Sequence, residues 1–453
     1  MSEYKKENMY RLEGKVPLGD AIPLGMQHVL AMYAGNLAPL LVVTSVLNMD
    51  MAIKVTLLQN AMFVAGLITL IQLYPIWKVG SGLPVVMGTS SGFIPVSLGV
   101  GTQFGYGAIM GASLIGGIIE FLLGFIIKPL RKILPHAVTG TVVLILGISL
   151  IGVGIQFVGG GVGMQGDPTF GSIKNITIAL IVFLVIVLLK QFSKGFLSVS
   201  AILIGIIVGY IISIFMGMVD FSEISKAAWF SIPKPIFMID GIEYSFHIEA
   251  IVPFILVYLA TTVETIGDNT GIAVGGLGRD ITDDELQGAV HADGFGSVFA
   301  TLFGVMPNTS FSQNVGLVAM TKIVNRFILM TGAIFLILCA FVPKLGAIVA
   351  SIPNCVLGGA VILMFAMISI SGLNLLIEDG KISDRTGLIV AASCAVGLGL
   401  SYCPEVMQYL PQWFQNMFSQ AIVGGFVTAT ILNIVLPKEL IKNKNIKLLD
   451  YNK

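Results

Sequence analysis

A run of ten residues, Gln313-Asn314-Val315-Gly316-Leu317-Val318-Ala319-Met320-Thr321-Lys322, sets a carboxamide pair and a glycine inside an apolar stretch. Just upstream, Glu264 and Asp293 sit within apolar segments of their own. Amides and carboxylates are costly to take out of water, so in such segments they need partners or a solute. Gln313 offers a donor and an acceptor, and can pair at two points with the adjacent N–H and C=O of a lactam edge. Glu264 can accept from ring N–H groups, or it can be a structural carboxyl that staples two helices. The combination suits a pocket for a small, flat, hydrogen-bonding solute.

Neighbouring residues extend that pocket. Asp268 follows Glu264 at i+4, on the same helix face. Asn314 is expected to hold the local backbone rather than touch the solute. Asp293, in His291-Ala292-Asp293-Gly294, either carries a proton in a cation-coupled cycle or makes a structural hydrogen bond. His28, in Gly25-Met26-Gln27-His28, either relays protons or orients a neighbour. Phe93 and Phe311 could sandwich a planar ring, and each could equally be packed in the core. Glu120 has no identifiable partner in its apolar run, and His136, His247 and Glu249 lie near segment ends.

The elements that must position these residues are membrane spans. The chain is 55% hydrophobic and 11% charged, with net charge +0 and mean hydropathy +0.92. Soluble domains carry about a quarter charged residues. Fourteen apolar runs are legible, near 23–46, 57–76, 85–98, 106–127, 136–157, 176–189 and 196–218, then 251–266, 289–303, 308–323, 327–348, 356–376, 388–402 and 417–436. About 20 residues cross a bilayer as a helix. The third and tenth runs are short and broken by Gly, Ser, Thr, Pro and Asn. The first residues are polar, with no cleavable signal visible.

Charge orients the chain. With both ends in the cytoplasm, the outer loops hold only Lys54, Lys174, Lys226, Lys234 and Lys344; the remaining 20 of 25 Lys and Arg lie inside, as basic residues should. The halves also repeat. Pro135-x-x-Val138-x-Gly140-x-x-Val143 recurs 218 residues on, from Pro353. Ile148-Ser149-x-x-Gly152 recurs as Ile368-Ser369-x-x-Gly372, and Thr89-Ser90 as Thr309-Ser310. A repeat of seven spans is odd, so the second half is inverted. Inverted repeats with paired broken segments place a solute site near the midplane. Freed backbone groups of Thr89-Ser90-Ser91-Gly92-Phe93 and Thr309-Ser310-Phe311-Ser312-Gln313 must then face a cavity, with positive helix ends inward.

Several classes are excluded. No Gly-x-x-x-x-Gly-Lys loop followed by Ser or Thr supports an ATP-driven pump. No metal-ligand spacing or nucleophile elbow points to an enzyme or a bound metal. Cys339, Cys355, Cys394 and Cys403 read as small hydrophobes rather than a disulfide framework. Nothing indicates nucleic acid as a partner.

With these residues the chain resembles the nucleobase–ascorbate transporter family. That family's signature is Gln, Glu or Pro, then Asn-x-Gly-x-x-x-x-Thr, then Arg, Lys or Gly, and 313–322 fits every fixed position. Gln27-His28, Glu264-x-x-Gly267-Asp268 and Ala292-Asp293-Gly294 are similar too, in the same order, while Gly92 departs from the Phe or Ala common in relatives. The resemblance implies an all-α polytopic membrane protein of 14 transmembrane segments as 7+7 inverted repeats, with short strands in spans three and ten. It implies a cytoplasmic segment 1–22, a core domain of 23–127 and 251–348, a gate domain of 128–218 and 349–436, an extracytoplasmic loop 219–250 and a cytoplasmic tail 437–453. Members form homodimers in the cell membrane and move their core like an elevator.

By the same resemblance, Glu264 and Gln313 bind the base. Phe93, Phe311 and Ser312 surround it, and Asp293, Asp268, His28 and Asn314 form the coupling network. Gln rather than Glu at 313 implies a purine base, xanthine or uric acid, carried with protons and without a cofactor. A uracil symporter and an anion exchanger of like architecture are the alternatives. Gln313 counts against the first, and the short stretch after the last span counts against the second. A channel would not need Glu264 and Gln313 to converge on one solute.

Overall fold

The computed structural model describes residues 5–127, 136–164, 166–377 and 381–437. Its helices are α1 (Leu18–Val46), α2 (Met51–Leu73), α3 (Ile94–Phe104), α4 (Tyr106–Gly124), α5 (His136–Gly159), α6 (Ile173–Phe192) and α7 (Ala201–Phe215). The second half contributes α8 (Ile248–Leu277), α9 (Asp283–Leu302), α10 (Ser312–Thr321), α11 (Arg326–Ala340), α12 (Pro343–Ala350), α13 (Asn354–Leu376), α14 (Asp384–Tyr402), α15 (Gln412–Phe418) and α16 (Ala421–Val435). Two three-residue strands, β1 (Met87–Thr89) and β2 (Asn308–Ser310), precede the half-length helices α3 and α10. Every apolar run expected from the sequence overlaps a helix or one of these strand–helix units.

Apolar chain away from water must satisfy its backbone internally, which is why these runs are helical. Their starts are set by polar side chains. Ser172 caps α6 and Ser383 caps α14, each accepting from a first-turn N–H. Thr282 and Glu285 form a reciprocal capping box on α9. Asn325 does double work. Its carbonyl oxygen accepts from the N–H groups of Phe327 and Ile328. Its amide donates to the carbonyls of Asn8, Arg11 and Gly14, which ties the N-terminal segment to the start of α11.

Among the described residues, eight helices are long and apolar enough to cross a membrane. The pairs α11–α12 and α15–α16, bent by 83° and 88°, would make ten. The chain is thus a multi-pass membrane protein. The two halves pack against each other. Helix α2 lies on α11 and α4 on α9, which are mutual counterparts across the halves, while the counterparts α5 and α13 lie on each other.

Two packed groups result. One contains α1–α4 and α8–α12; the other contains α5–α7, α13, α14 and α16. The tightest seam is α5 against α13. On α5, Gly140, Gly147 and Gly154 recur every seventh residue on the face toward α13. On α13, a Cβ at Gly372 would lie 2.7 Å from Leu144 Cα and 2.8 Å from Gly140 O. Small residues let backbones approach where no hydrophobic effect drives helices together. Pro135, the basic residues at 128, 131 and 132, and the tail beyond 437 lie outside the described residues.

Gly372→Val should therefore overpack the α5–α13 seam and cost about 1–3 kcal/mol. Gly387→Ala on α14, where nothing lies within 4 Å, should be neutral or stabilising. Thermal unfolding of the two detergent-purified variants checks this; equal shifts would contradict the seam.

Candidate functional site

The site begins with the ribbon. Strands β1 and β2 pair antiparallel, with Met87 opposite Ser310, Gly88 opposite Thr309 and Thr89 opposite Asn308. The ladder continues at both ends, with Ser90 N donating to Pro307 O at 2.8 Å and Phe311 N to Val86 O at 3.0 Å. A two-stranded ribbon leaves two outer edges, and all six strand residues are buried. Side chains close those edges. On β1, Thr69 Oγ1 of α2 accepts from Met87 N at 2.9 Å and donates to Met87 O at 3.3 Å, and Asn36 of α1 accepts from Thr89 N at 2.8 Å. On β2, Ser297 Oγ of α9 accepts from Asn308 N at 3.1 Å and donates to Asn308 O at 3.0 Å. Thr69 and Ser297 sit on counterpart helices and perform the same task.

Beyond each strand the chain turns into a half helix. The first residues of α10, Ser312 and Gln313, and the Ser91–Gly92 turn before α3 border one cavity. That cavity has a volume of about 270 Å³ and lies between the two helix groups. Its polar wall comes from the strand ends, from Ser91 and Gly92, and from Glu264, Ser312 and Gln313. Its opposite wall comes from α5, α7 and α13, through Val143, Leu146, Ile202, Met364 and Ile368. Ligand pockets run roughly 300–1,000 Å³, so this one suits a small solute.

Glu264 and Gln313 therefore meet in one cavity, as expected. Ser312 Oγ donates to Glu264 Oε1 at 3.4 Å, and the rest of that carboxyl faces the space. Gln313 is exposed to the cavity. Phe311 is nearly buried, its ring accommodated by two glycines: a Cβ at Gly35 or Gly88 would lie 2.7 Å from ring carbons. The network residues lie behind the wall. Asp268 accepts from Ser310 Oγ at 2.7 Å. Asp293 accepts from Thr309 at 3.1 Å and from Thr265. His28 Nδ1 is 2.5 Å from Asn314 Oδ1, and Asn314 Nδ2 donates to Pro84 O at 2.8 Å. Asn314 thus holds the broken backbone and leaves the solute space to its neighbour.

Phe93 departs from its expected place. Its ring is fully buried against Tyr258 and Phe254, with centroids 4.5 and 5.6 Å away, and is absent from the cavity wall. The Ser91–Phe93 turn carries it past the opening, and an aromatic ring gains more from that cluster than from a polar rim. Among the described residues no second aromatic ring lines the cavity with Phe311. Gly92 lines it with room for a methyl group: a Cβ would sit 3.5 Å from Ser90 Oγ.

Two residues that sequence reasoning left out also matter. Lys190, at the end of α6, is the one cation lining the cavity among the described residues. Its place at a predicted cytoplasmic span end gave the only available signal. Glu120 accepts from Thr261 and Thr262 of α8 at 3.3 and 3.2 Å, partners invisible in its own segment. Lys322 closes the signature run. It takes the left-handed conformation after α10, φ 58°, and its Nζ donates to Gly275 O in the last turn of α8. A left-handed position favours Gly, and a long cation adds a cap on helix carbonyls. Gly316 faces open space, and nothing in the structure explains a glycine there.

A family model described as a permease family (Xan_ur_permease) matches residues 19–406. Xanthine permease XanQ of Escherichia coli is 34% identical over 442 residues, covering 95% of this chain and 94% of its own. The nucleobase transporter PlUacP of Paenibacillus larvae is 34% identical, covering 91% and 94%. Among solved structures, the murine anion transporter Slc26a9 shares the fold, with a TM-score of 0.60 at 14% identity over 96% of this chain and 72% of that one.

The ribbon edge gives a sharp expectation. Ser297→Ala strips both partners from Asn308 and should cost about 1–3 kcal/mol. Ser113→Ala, which removes a buried hydroxyl without a partner, should cost far less. Melting temperatures of the two variants compare them directly, and a Ser113 effect as large as the Ser297 effect would contradict the edge-closing role.

Proposed function

The chain belongs to the Xan_ur_permease family, and from that premise we propose that it carries a purine base, xanthine or uric acid, into the cell with protons. The observation that carries the reading is the convergence of Glu264, Ser312 and Gln313 on one small cavity at two half-helix starts. A xanthine ring presents alternating N–H and C=O groups at its edge. The Gln313 amide pairs with one lactam edge at two points, and the Glu264 carboxylate accepts a remaining N–H. The backbone N–H groups of Ser312 and Gln313, at the start of α10, take an exocyclic oxygen. Phe311 closes one side with its ring edge, and Phe93 supports the wall from behind.

The transport step follows from the two walls. Most of the directional hydrogen bonding sits on the strand-bearing group, a core domain, with Lys190 and Ser371 on the other side. The other group offers mainly aliphatic and methionine side chains, which form no fixed bonds and let the wall slide. We read fourteen spans, counting the bent and broken units, with a gate domain that stays while the core and its solute shift like an elevator. The proton gradient drives the cycle, Asp293, Asp268 and His28 form the coupling network behind the site, and the protein works as a homodimer in the cell membrane with both termini in the cytoplasm.

Radiolabelled xanthine uptake into cells expressing the chain tests this. Saturable uptake that collapses with a protonophore and is competed by uric acid, but not by sulfate, is expected. Uracil or sulfate transport in its place would overturn the purine assignment.

Two variants test the site itself. Glu264→Gln turns one acceptor into a donor and should lower xanthine affinity by about 10–100-fold, since a mispaired buried group costs about 1–3 kcal/mol. Calorimetry that finds parental affinity would remove Glu264 from the site. Gln313→Glu should weaken xanthine and improve competition by uracil; unchanged selectivity would count against position 313.

A further inference from the structure

Glu120 is an acid in the middle of α4 to which the reading above gives no task. It is 1% exposed, and Asp293 on α9 is 0% exposed. The two helices touch backbone to backbone beside them. A Cβ at Gly117, one turn before Glu120, would lie 3.2 Å from the carbonyl of Gly294, the neighbour of Asp293. The two carboxyls interact electrostatically across this contact.

Each acid is half satisfied. Glu120 Oε1 accepts from Thr261 and Thr262, and Asp293 Oδ2 accepts from Thr265 and Thr309. Glu120 Oε2 and Asp293 Oδ1 are buried without a partner. The other ionisable groups around them are occupied elsewhere. On α8, Tyr258 donates to Ser113 O, Asp268 accepts from Ser310, and Glu264 faces the cavity. On α9, His291 bonds Lys78 O and packs on Phe121 and Phe125. No salt bridge to either acid is present among the described residues. Two neighbouring carboxylates without a counter-charge cannot both stay ionised in such a place. Thr261 and Thr309 also line the cavity, so each acid lies one hydroxyl away from the solute space.

We propose that Glu120 and Asp293 hold one proton between them, and that this pair, reached from the cavity through Thr261 and Thr309, is the proton-carrying element of the transport cycle. One proton enters the pair from cavity water on the loading side, with no other bond made or broken. It leaves by the same hydroxyls when the cavity opens to the other side. Glu120 is a positioning residue for that proton and touches no solute. The inference rests on the base-symport reading and deepens it.

The test uses the whole chain in proteoliposomes, with labelled xanthine followed in two modes. One is exchange against internal xanthine with no gradient; the other is accumulation under an imposed pH gradient. Glu120→Gln should keep exchange, lose its pH dependence, and accumulate about tenfold less, because one neutral amide and one acid no longer share a proton. Accumulation and a pH profile like the parent's would overturn the proposal and leave Glu120 as an acceptor for two threonines. If Glu120→Gln is not monodisperse, Glu120→Asp takes its place. A displaced pH profile then supports the proposal, and an unchanged one overturns it. A parent that exchanges xanthine but accumulates none under a pH gradient overturns the coupling alone; a parent that does not exchange xanthine overturns the reading beneath it.

Discussion

Six strand residues set the terms for everything around them. Met87–Thr89 and Asn308–Ser310 are non-helical backbone buried deep among apolar helices. Each backbone group there must find a partner inside the protein, because lipid offers none. Half of the need is met by pairing the strands with each other. The other half falls on the two outer edges, and it fixes the residues that surround them. Thr69 and Ser297 each serve one peptide unit as both donor and acceptor, and Asn36 holds Thr89. A sheet edge left open in that setting would cost several kcal/mol. Closing it with hydroxyls on α2 and α9 locks those helices to the ribbon, and through them α4 and α11.

The same demand creates the site. Strand residues that turn into half helices leave first-turn N–H groups that the ribbon cannot satisfy. At the start of α10, Ser312 and Gln313 open into the cavity, which acquires a directional, hydrogen-bonding wall. Glu264 and Gln313 add side chains to a wall the backbone has already made polar. Behind it, Asp268, Asp293, His28 and Asn314 are all tied to the broken segments by one or two bonds each. A displacement of β2 or α10 would disturb those bonds.

What could be read from the chain follows from how local each signal is. The broken segments announced themselves by Gly, Ser, Thr and Asn in apolar runs, and Asn314 was assigned to backbone support because a carboxamide beside a break has that work to do. Spans were legible because lipid imposes one long pattern on each. Phe93 was misplaced because a ring three residues from Ser90 could turn either way; only the cluster with Tyr258 and Phe254, more than 160 residues on, decides it. Glu120 was unreadable for the same reason, since its threonine partners come from α8. Thr69 and Ser297 lie off the 218–220-residue offset of the sequence repeat, so nothing in that repeat marked them as closing opposite edges of one ribbon.

The seam between the two helix groups carries the opposite chemistry from the ribbon. Where α5 meets α13, glycines bring backbones into contact and side chains interlock around them. Contacts of that kind hold a group together but resist sliding. Across the cavity, by contrast, the two groups meet through Val143, Leu146, Met364 and Ile368 on one side and a polar wall on the other, with few contacts between their helices. Apolar side chains exchange one set of neighbours for another at little cost, because dispersion contacts are non-directional. Most of the directional bonding that faces the cavity therefore sits on one group. The placement of Lys190 on the soft wall is the one exception, a fixed charge on the side that otherwise offers a solute no hydrogen-bonding partner except the hydroxyl of Ser371.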